Sequence, residues 1–233
     1  MVRNRSLVFT QVPDGIPVAG KDLVISESDF DISSPPPKGG FTGQVLHASF
    51  DPYLRHRMVK PEEARDGFEP LPTGSVIPNG IIVRVLKSDM AQYPADSVVV
   101  GMGLIQEYVS VGAYEAAQFF PILNPHNLDL KYFLGPLGMP GLTAYSALYE
   151  IGRPKKGETI FISAASGAVG QVVGQLALRE GLTVIGSVGS DEKLKLLTDV
   201  FKFHGAFNYK RGDILSQLRQ LAPNGFDSEC LNL

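Results

Sequence analysis

The sequence predicts an α/β protein in two parts, a β-rich first portion and a doubly wound parallel sheet after it. Three observations carry that expectation. The apolar β-type run Thr159-Ile160-Phe161-Ile162 breaks into the small residues Ser163-Ala164-Ala165-Ser166-Gly167-Ala168-Val169-Gly170, and an apolar stripe at Val172, Val173, Leu176 and Ala177 then follows at helical spacing. A second apolar run, Thr183-Val184-Ile185-Gly186-Ser187-Val188, reads as the next parallel strand, buried on both faces. Upstream of residue 125 the pattern is different, with short β-branched runs separated by proline and glycine.

In chain order, the upstream runs are Leu23-Val24-Ile25, Gly43-Gln44-Val45-Leu46, Gly80-Ile81-Ile82-Val83-Arg84-Val85-Leu86, Ser97-Val98-Val99-Val100 and Glu107-Tyr108-Val109-Ser110-Val111. Turn signals such as Pro35-Pro36-Pro37 and Lys38-Gly39-Gly40 part them, as in an antiparallel barrel or sandwich. From Tyr132 helices alternate with apolar strands, the βαβ pattern. The expected division is residues 1–128 and 129–233, with the boundary near Pro125 to Lys131.

Composition excludes several classes. A net charge of −3 offers no electrostatic footprint for nucleic acid, and no basic run interleaves with aromatics. Cys230 is the only cysteine, which rules out an internal disulfide framework or a multi-cysteine zinc site and suits a reducing compartment. His47, His56, His126 and His204 are scattered without metal-ligand spacing, so no metal is expected. No stretch is long and apolar enough to span a bilayer, and Gln11, Pro13 and Asp14 interrupt any signal-peptide core. The default expectation is a soluble, cytoplasmic protein.

The turn after the Thr159 run matches G-x-G-x-x-G with Ala165 in the first place. A strand delivering small residues to a helix start lets the backbone approach a pyrophosphate, whose charge the free amides and the helix dipole hold. Small residues also serve close strand-to-helix packing, and the hexapeptide alone does not separate the two. An acid about twenty residues on would grip a ribose 2′-hydroxyl, but Gly186 and Ser187 stand at that place. Lys193, within Gly189-Ser190-Asp191-Glu192-Lys193, supplies a cation for a 2′-phosphate, so NADP is favoured over NAD. Lys193 reads equally as a solvated helix-surface residue, and Ser190 and Asp191 as N-cap residues.

Several segments together resemble the zinc-independent medium-chain dehydrogenase/reductase family, in the branch of prostaglandin reductases, leukotriene hydroxydehydrogenases and alkenal double-bond reductases. They are Asp51-Pro52-Tyr53-Leu54-Arg55-His56-Arg57-Met58, Gly135-Pro136-Leu137-Gly138-Met139-Pro140-Gly141-Leu142-Thr143-Ala144-Tyr145, the glycine turn with Lys193, and Phe207-Asn208-Tyr209-Lys210. The resemblance implies a GroES-like β-rich substrate domain and a Rossmann NADP-binding domain. It also implies an enzyme that moves hydride from NADPH to the β-carbon of an α,β-unsaturated aldehyde or ketone, the α-carbon then taking a proton. Carried over, Gly167, Ala168, Val169 and Gly170 contact the pyrophosphate, Lys193 and Tyr209 hold the 2′-phosphate, Met139 and Thr143 border the nicotinamide, and Tyr53 lies beside the substrate.

A phenol there suits the chemistry, because hydride addition to an enone leaves negative charge on oxygen. The same residues have plainer readings: Tyr53 and Tyr209 as packed aromatics, Met139 and Thr143 as parts of a helix start. His56 replaces the family's glycine between two arginines, which narrows the cleft or alters the backbone.

The resemblance further implies a longer second domain. Gly225-Phe226-Asp227 opens a fourth parallel strand, but Ser228-Glu229-Cys230-Leu231-Asn232-Leu233 departs from the apolar continuation. On this reading the chain is a C-terminally truncated member with an incomplete Rossmann domain and exposed strand edges. Its activity in this form stays open, as do two alternatives: a quinone reductase of a neighbouring branch, and a non-catalytic nucleotide-binding or interaction fragment. Members are often dimeric through the nucleotide domain, so a homodimer is among the implied states.

Overall fold

The computed structural model describes residues 1–230, and the chain divides into two compact units between Leu134 and Gly135. Leu231, Asn232 and Leu233, part of the expected departure from the apolar pattern, lie outside the described residues.

The first unit is built from antiparallel strands. β1 (Val2–Phe9) and β2 (Leu23–Phe30) form a hairpin in full register, from Val2 opposite Phe30 to Phe9 opposite Leu23. β3 (Phe41–Ala48), β4 (Pro78–Ser88), β5 (Val98–Leu104), β6 (Tyr108–Val111) and β7 (Phe119–Pro121) make a five-stranded sheet in the order β6-β3-β4-β5-β7. Amides of β1 reach across to Ile105 and Ser75, which ties the hairpin to the loops of the larger sheet. Composition does not mark β1 as a strand because its inward positions Asn4 and Ser6 are polar. They are satisfied by a segment remote in sequence: Asn4 brackets the Tyr108 backbone, donating to its carbonyl at 3.1 Å and accepting from its amide at 2.9 Å.

Ile81, Ile82 and Val83 are consecutive and fully buried, so the central strand β4 is covered on both faces. One core gathers Phe41, Ile81, Val83, Val85, Val99 and Phe119, with Phe41 edge-on to Phe119 at 5.2 Å between ring centres. A second core, Phe9, Leu54, Met58, Leu71 and Ile77, packs under the short helix α1 (Leu54–Arg57) and carries Tyr53 at its margin. A further short helix, α2 (Ala113–Ala116), joins β6 to β7.

The second unit is a parallel sheet. Its strands β8 (Thr159–Ile162), β9 (Thr183–Val188), β10 (Gly205–Asn208) and β11 (Ser228–Cys230) lie in the order β10-β9-β8-β11. That is the first half of a doubly wound sheet with one strand beyond it, and its strand order reverses between β8 and β11. α3 (Met139–Tyr145) continues through a wide π turn to Gly152, and α4 (Gly170–Arg179) buries Val173 and Ala177 as the stripe predicts. α5 (Asp191–Lys195) follows β9, and α6 (Ile214–Leu221) follows β10.

The polar segment at the end does form a strand. Cys230 sits opposite Ile162, the Ser163 amide donates to the Cys230 carbonyl at 3.0 Å, and the Thr159 amide is held by the Asp227 carboxylate at 2.8 Å. Backbone pairing is indifferent to side chains, and an outer position tolerates Glu229. Among the described residues no helix is long and apolar enough to cross a membrane.

Candidate functional site: a helix-start cradle at the sheet's switch point

The turn leaving β8 is the tightest piece of backbone in the second unit. Ala164 takes a left-handed φ of 43°, its carbonyl accepts the Gly167 amide at 2.7 Å, and the Gln171 amide then bonds to Gly167 to begin α4. Buried Ala165 pins the turn to the next strand by donating to the Ser187 carbonyl at 3.0 Å. A Cβ on Gly170 would stand 2.8 Å from the Ala164 carbonyl oxygen and 2.9 Å from the Ala165 Cα, so only glycine fits. Among the described residues no acceptor meets the amides of Ala168, Val169 and Gly170, and neither a capping side chain nor an acidic residue occupies the first turn of α4. Gly167 and Ala168 are exposed. The result is a set of backbone donors and a positive dipole end beside the topological switch point, the place where such sheets take ligands.

The carboxyl ends of β9 and β10 add the second group. Gly186 and Ser187 are buried within β9, so they do not mark the strand end; Gly189 and Ser190 do. The place about twenty residues past the turn thus lies inside β9, whose carboxyl end comes after Val188. Ser190 caps α5, its hydroxyl accepting from the Lys193 amide at 3.3 Å, while the exposed Lys193 side chain projects from the first turn of α5. Tyr209 follows β10, its amide on the Val188 carbonyl at 3.0 Å, and its hydroxyl lies so close over Gly189 that a Cβ there would sit 2.7 Å away. Lys193 and Tyr209 thus flank the same Gly189-Ser190 bend.

Sequence reasoning missed an ion pair there, Asp191 with Arg211. Asp191, a carboxylate at the strand end, is engaged by the Arg211 guanidinium and by the Asn208 amide at 2.9 Å. A carboxylate that would repel a phosphate is thereby neutralised. The charge pattern of the segment could have suggested it, but the partners come from β10 and the turn after it.

Met139 and Thr143 both lie on α3, whose buried face is Pro140, Gly141 and Ala144. Met139 is exposed, and the Thr143 hydroxyl donates to the Met139 carbonyl at 2.9 Å, the ordinary back-bond of a helical threonine.

Tyr53 belongs to the first unit. Its half-buried ring packs against the Phe9 core, and its hydroxyl donates to Asn79 Oδ1. Burial, then the Asp51 charge, raises the phenol above its ordinary pKa, so it is a neutral donor at physiological pH. Asn79 is fully buried and is held in turn by the Ser49 carbonyl at 2.8 Å and the Asp51 carboxylate at 2.9 Å. No pattern in the sequence points to it.

His56 sits in α1 with right-handed backbone, and its ring tilts against Phe68 at 5.3 Å. The altered-backbone consequence expected of its replacing glycine is therefore not realised, because a helix accepts any L-residue. His204 accepts the Val184 amide at 3.0 Å, a packing role.

Comparison with known proteins places this geometry. The profile of the N-terminal domain of oxidoreductase matches residues 5–121. The chain is 48% identical over 228 residues to the NADP-dependent oxidoreductase RED1 of Cochliobolus heterostrophus, covering 97% of this chain and 64% of that protein. It is 37% identical to the NADP(+)-dependent 2-alkenal reductase of Nicotiana tabacum, again over 97% of this chain and 64% of that protein. The structure of CurA from Vibrio vulnificus in complex with NADPH superposes with a TM-score of 0.85 at 29% identity, covering 98% of this chain and 65% of that one. The chain thus spans about 64% of the length of the curated relatives it matches. An oxidoreductase profile over its β-rich unit and a half-wound parallel sheet with a helix-start cradle make this chain a member of the medium-chain dehydrogenase/reductase family.

Proposed function

We propose that the protein is an NADPH-dependent reductase of carbon–carbon double bonds conjugated to an aldehyde or ketone. One observation carries the cofactor half of this reading: donor amides at the start of α4, with Gly170 too crowded for any side chain, form a cradle at the switch point. The cradle fits a pyrophosphate in charge and shape. Gly167, Ala168, Val169 and Gly170 would hold it, and Lys193 and Tyr209 would take the 2′-phosphate at the Gly189-Ser190 bend. Met139 and Thr143 would border the nicotinamide.

The names of relatives support the substrate half, among them an NADP(+)-dependent 2-alkenal reductase and (+)-pulegone reductase from Mentha piperita. Bound NADPH supplies the hydride that adds to the β-carbon, and the α-carbon then takes a proton. Tyr53, kept neutral by burial and Asp51, would lie beside the substrate.

The test is calorimetry of NADPH and NADH against the 233-residue chain, followed by NADPH consumption with crotonaldehyde or with a quinone. Tighter binding of NADPH and turnover of crotonaldehyde support the proposal. Quinone turnover alone would favour the neighbouring branch. Binding without turnover of either would leave a nucleotide-binding role, and equal affinity for the two cofactors would overturn the 2′-phosphate site.

A further inference from the structure

The backbone ladder between β9 and β10 ends with the Tyr209 amide on the Val188 carbonyl. Two side-chain contacts carry the connection on to α5. The Arg211 guanidinium meets the Asp191 carboxylate, but its side chain is 73% exposed, and an ion pair in water contributes little. Asn208, the last residue of β10, is buried, and both ends of its side-chain amide are engaged. Its Oδ1 accepts the Lys210 amide at 3.1 Å, and its Nδ2 donates to the carboxylate of Asp191, the first residue of α5, at 2.9 Å. Turning the amide over would set oxygen against carboxylate and N–H against N–H, so the orientation is fixed.

We infer that Asn208 is a positioning residue for a 2′-phosphate: it clips the start of α5 to the end of β10, holding the turn that carries Lys193 and the turn that carries Tyr209 at one spacing so that a single phosphate meets both. Asn208 itself does not touch the ligand. Lys193 lies two residues past the clipped Asp191, and Tyr209 directly follows Asn208, so the clip acts on both contacts at once. Without it the phosphate keeps one contact and loses the other, about a tenfold loss of affinity. A nucleotide lacking that phosphate loses nothing. The inference rests on the NADPH reading for its ligand, while the clip itself lies wholly within the second unit.

Adenosine 2′,5′-bisphosphate and adenosine 5′-monophosphate differ only in the 2′-phosphate, and calorimetry of each against the 233-residue chain tests the clip. The unsubstituted chain is expected to prefer the bisphosphate. Asn208→Leu, of similar volume and equal charge, is expected to weaken the bisphosphate about tenfold and to leave the monophosphate unchanged. In an Asp191→Leu background the clip is already gone, so adding Asn208→Leu is expected to alter neither affinity. Asn208→Ser, whose hydroxyl is too short to reach both partners, carries the same expectations if the leucine variant does not fold. Unchanged bisphosphate binding in the Asn208 variants, an equal loss for both nucleotides, or a tenfold loss that persists in the Asp191→Leu background overturns the inference. If the unsubstituted chain shows no preference for the bisphosphate, the 2′-phosphate reading falls and the inference with it; a preference that survives in the variants removes the inference alone.

Discussion

Tyr209 reaches back over Gly189, and that contact ties a side chain after one strand to the bend after another. Replacing Gly189 with alanine would push the Tyr209 hydroxyl off the bend, since a Cβ 2.7 Å away cannot coexist with it. The expected result is about tenfold weaker NADPH binding with NADH little changed, read by calorimetry. Lys193→Ala is expected to act in the same direction and by a similar factor, because a lysine–phosphate contact is a charge-assisted bond worth about 1.5–3 kcal/mol. If Lys193 is only a solvated surface residue, the two cofactors respond alike. These residues are readable from sequence as types, a cation and an aromatic at suggestive places. Their convergence on Gly189-Ser190 is not, because it depends on β9 and β10 lying side by side.

The elements are held by caps and paired ends as much as by apolar stripes. Asp213 caps α6, accepting from the Ser216 amide at 2.7 Å, and that bond holds its carboxyl below the ordinary range. Asp213→Ala is expected to cost about 1 kcal/mol, seen as a lower urea midpoint. In the first unit, the Arg5 guanidinium and amide hold Glu107 below its usual pKa, and the Val18 amide and Gln11 do the same for Asp22. Carboxyls lowered on folding stabilise the protein above their unfolded pKa, near 4, and that stability is lost as pH falls through the lower folded values. Urea midpoints should therefore decline on acidification below about pH 4. Asp22→Asn should flatten that decline, and an unaltered acid limb would show that Asp22 contributes nothing to it.

Local elements were legible where burial is apolar: β4, β8, β9 and α4 follow from periodicity, and the Ser190 cap from its residue type. β1 and β11 escaped because their positions are polar: Asn4 is satisfied by the remote Tyr108 backbone, and β11 is held by backbone pairing with β8.

At the scale of the whole chain, ligand linkage gives the broadest test. NADPH at a hundredfold excess over its dissociation constant should stabilise the unit that binds it by about 2.7 kcal/mol. Hydrogen exchange should locate that protection in α4 and the β8 turn, with the first unit's sheet unaffected; protection confined to the first unit would move the site elsewhere. By itself the sequence determined the family, the half-wound sheet and the helix-start cradle. All three are written in contiguous residues, where hydrophobic period and glycine placement act within a few positions of one another. Only the tertiary structure decided that Asn79 takes the Tyr53 hydroxyl and that Arg211 and Asn208 neutralise Asp191. Those are pairings between segments remote in sequence, and the chain has to be folded before either partner exists for the other.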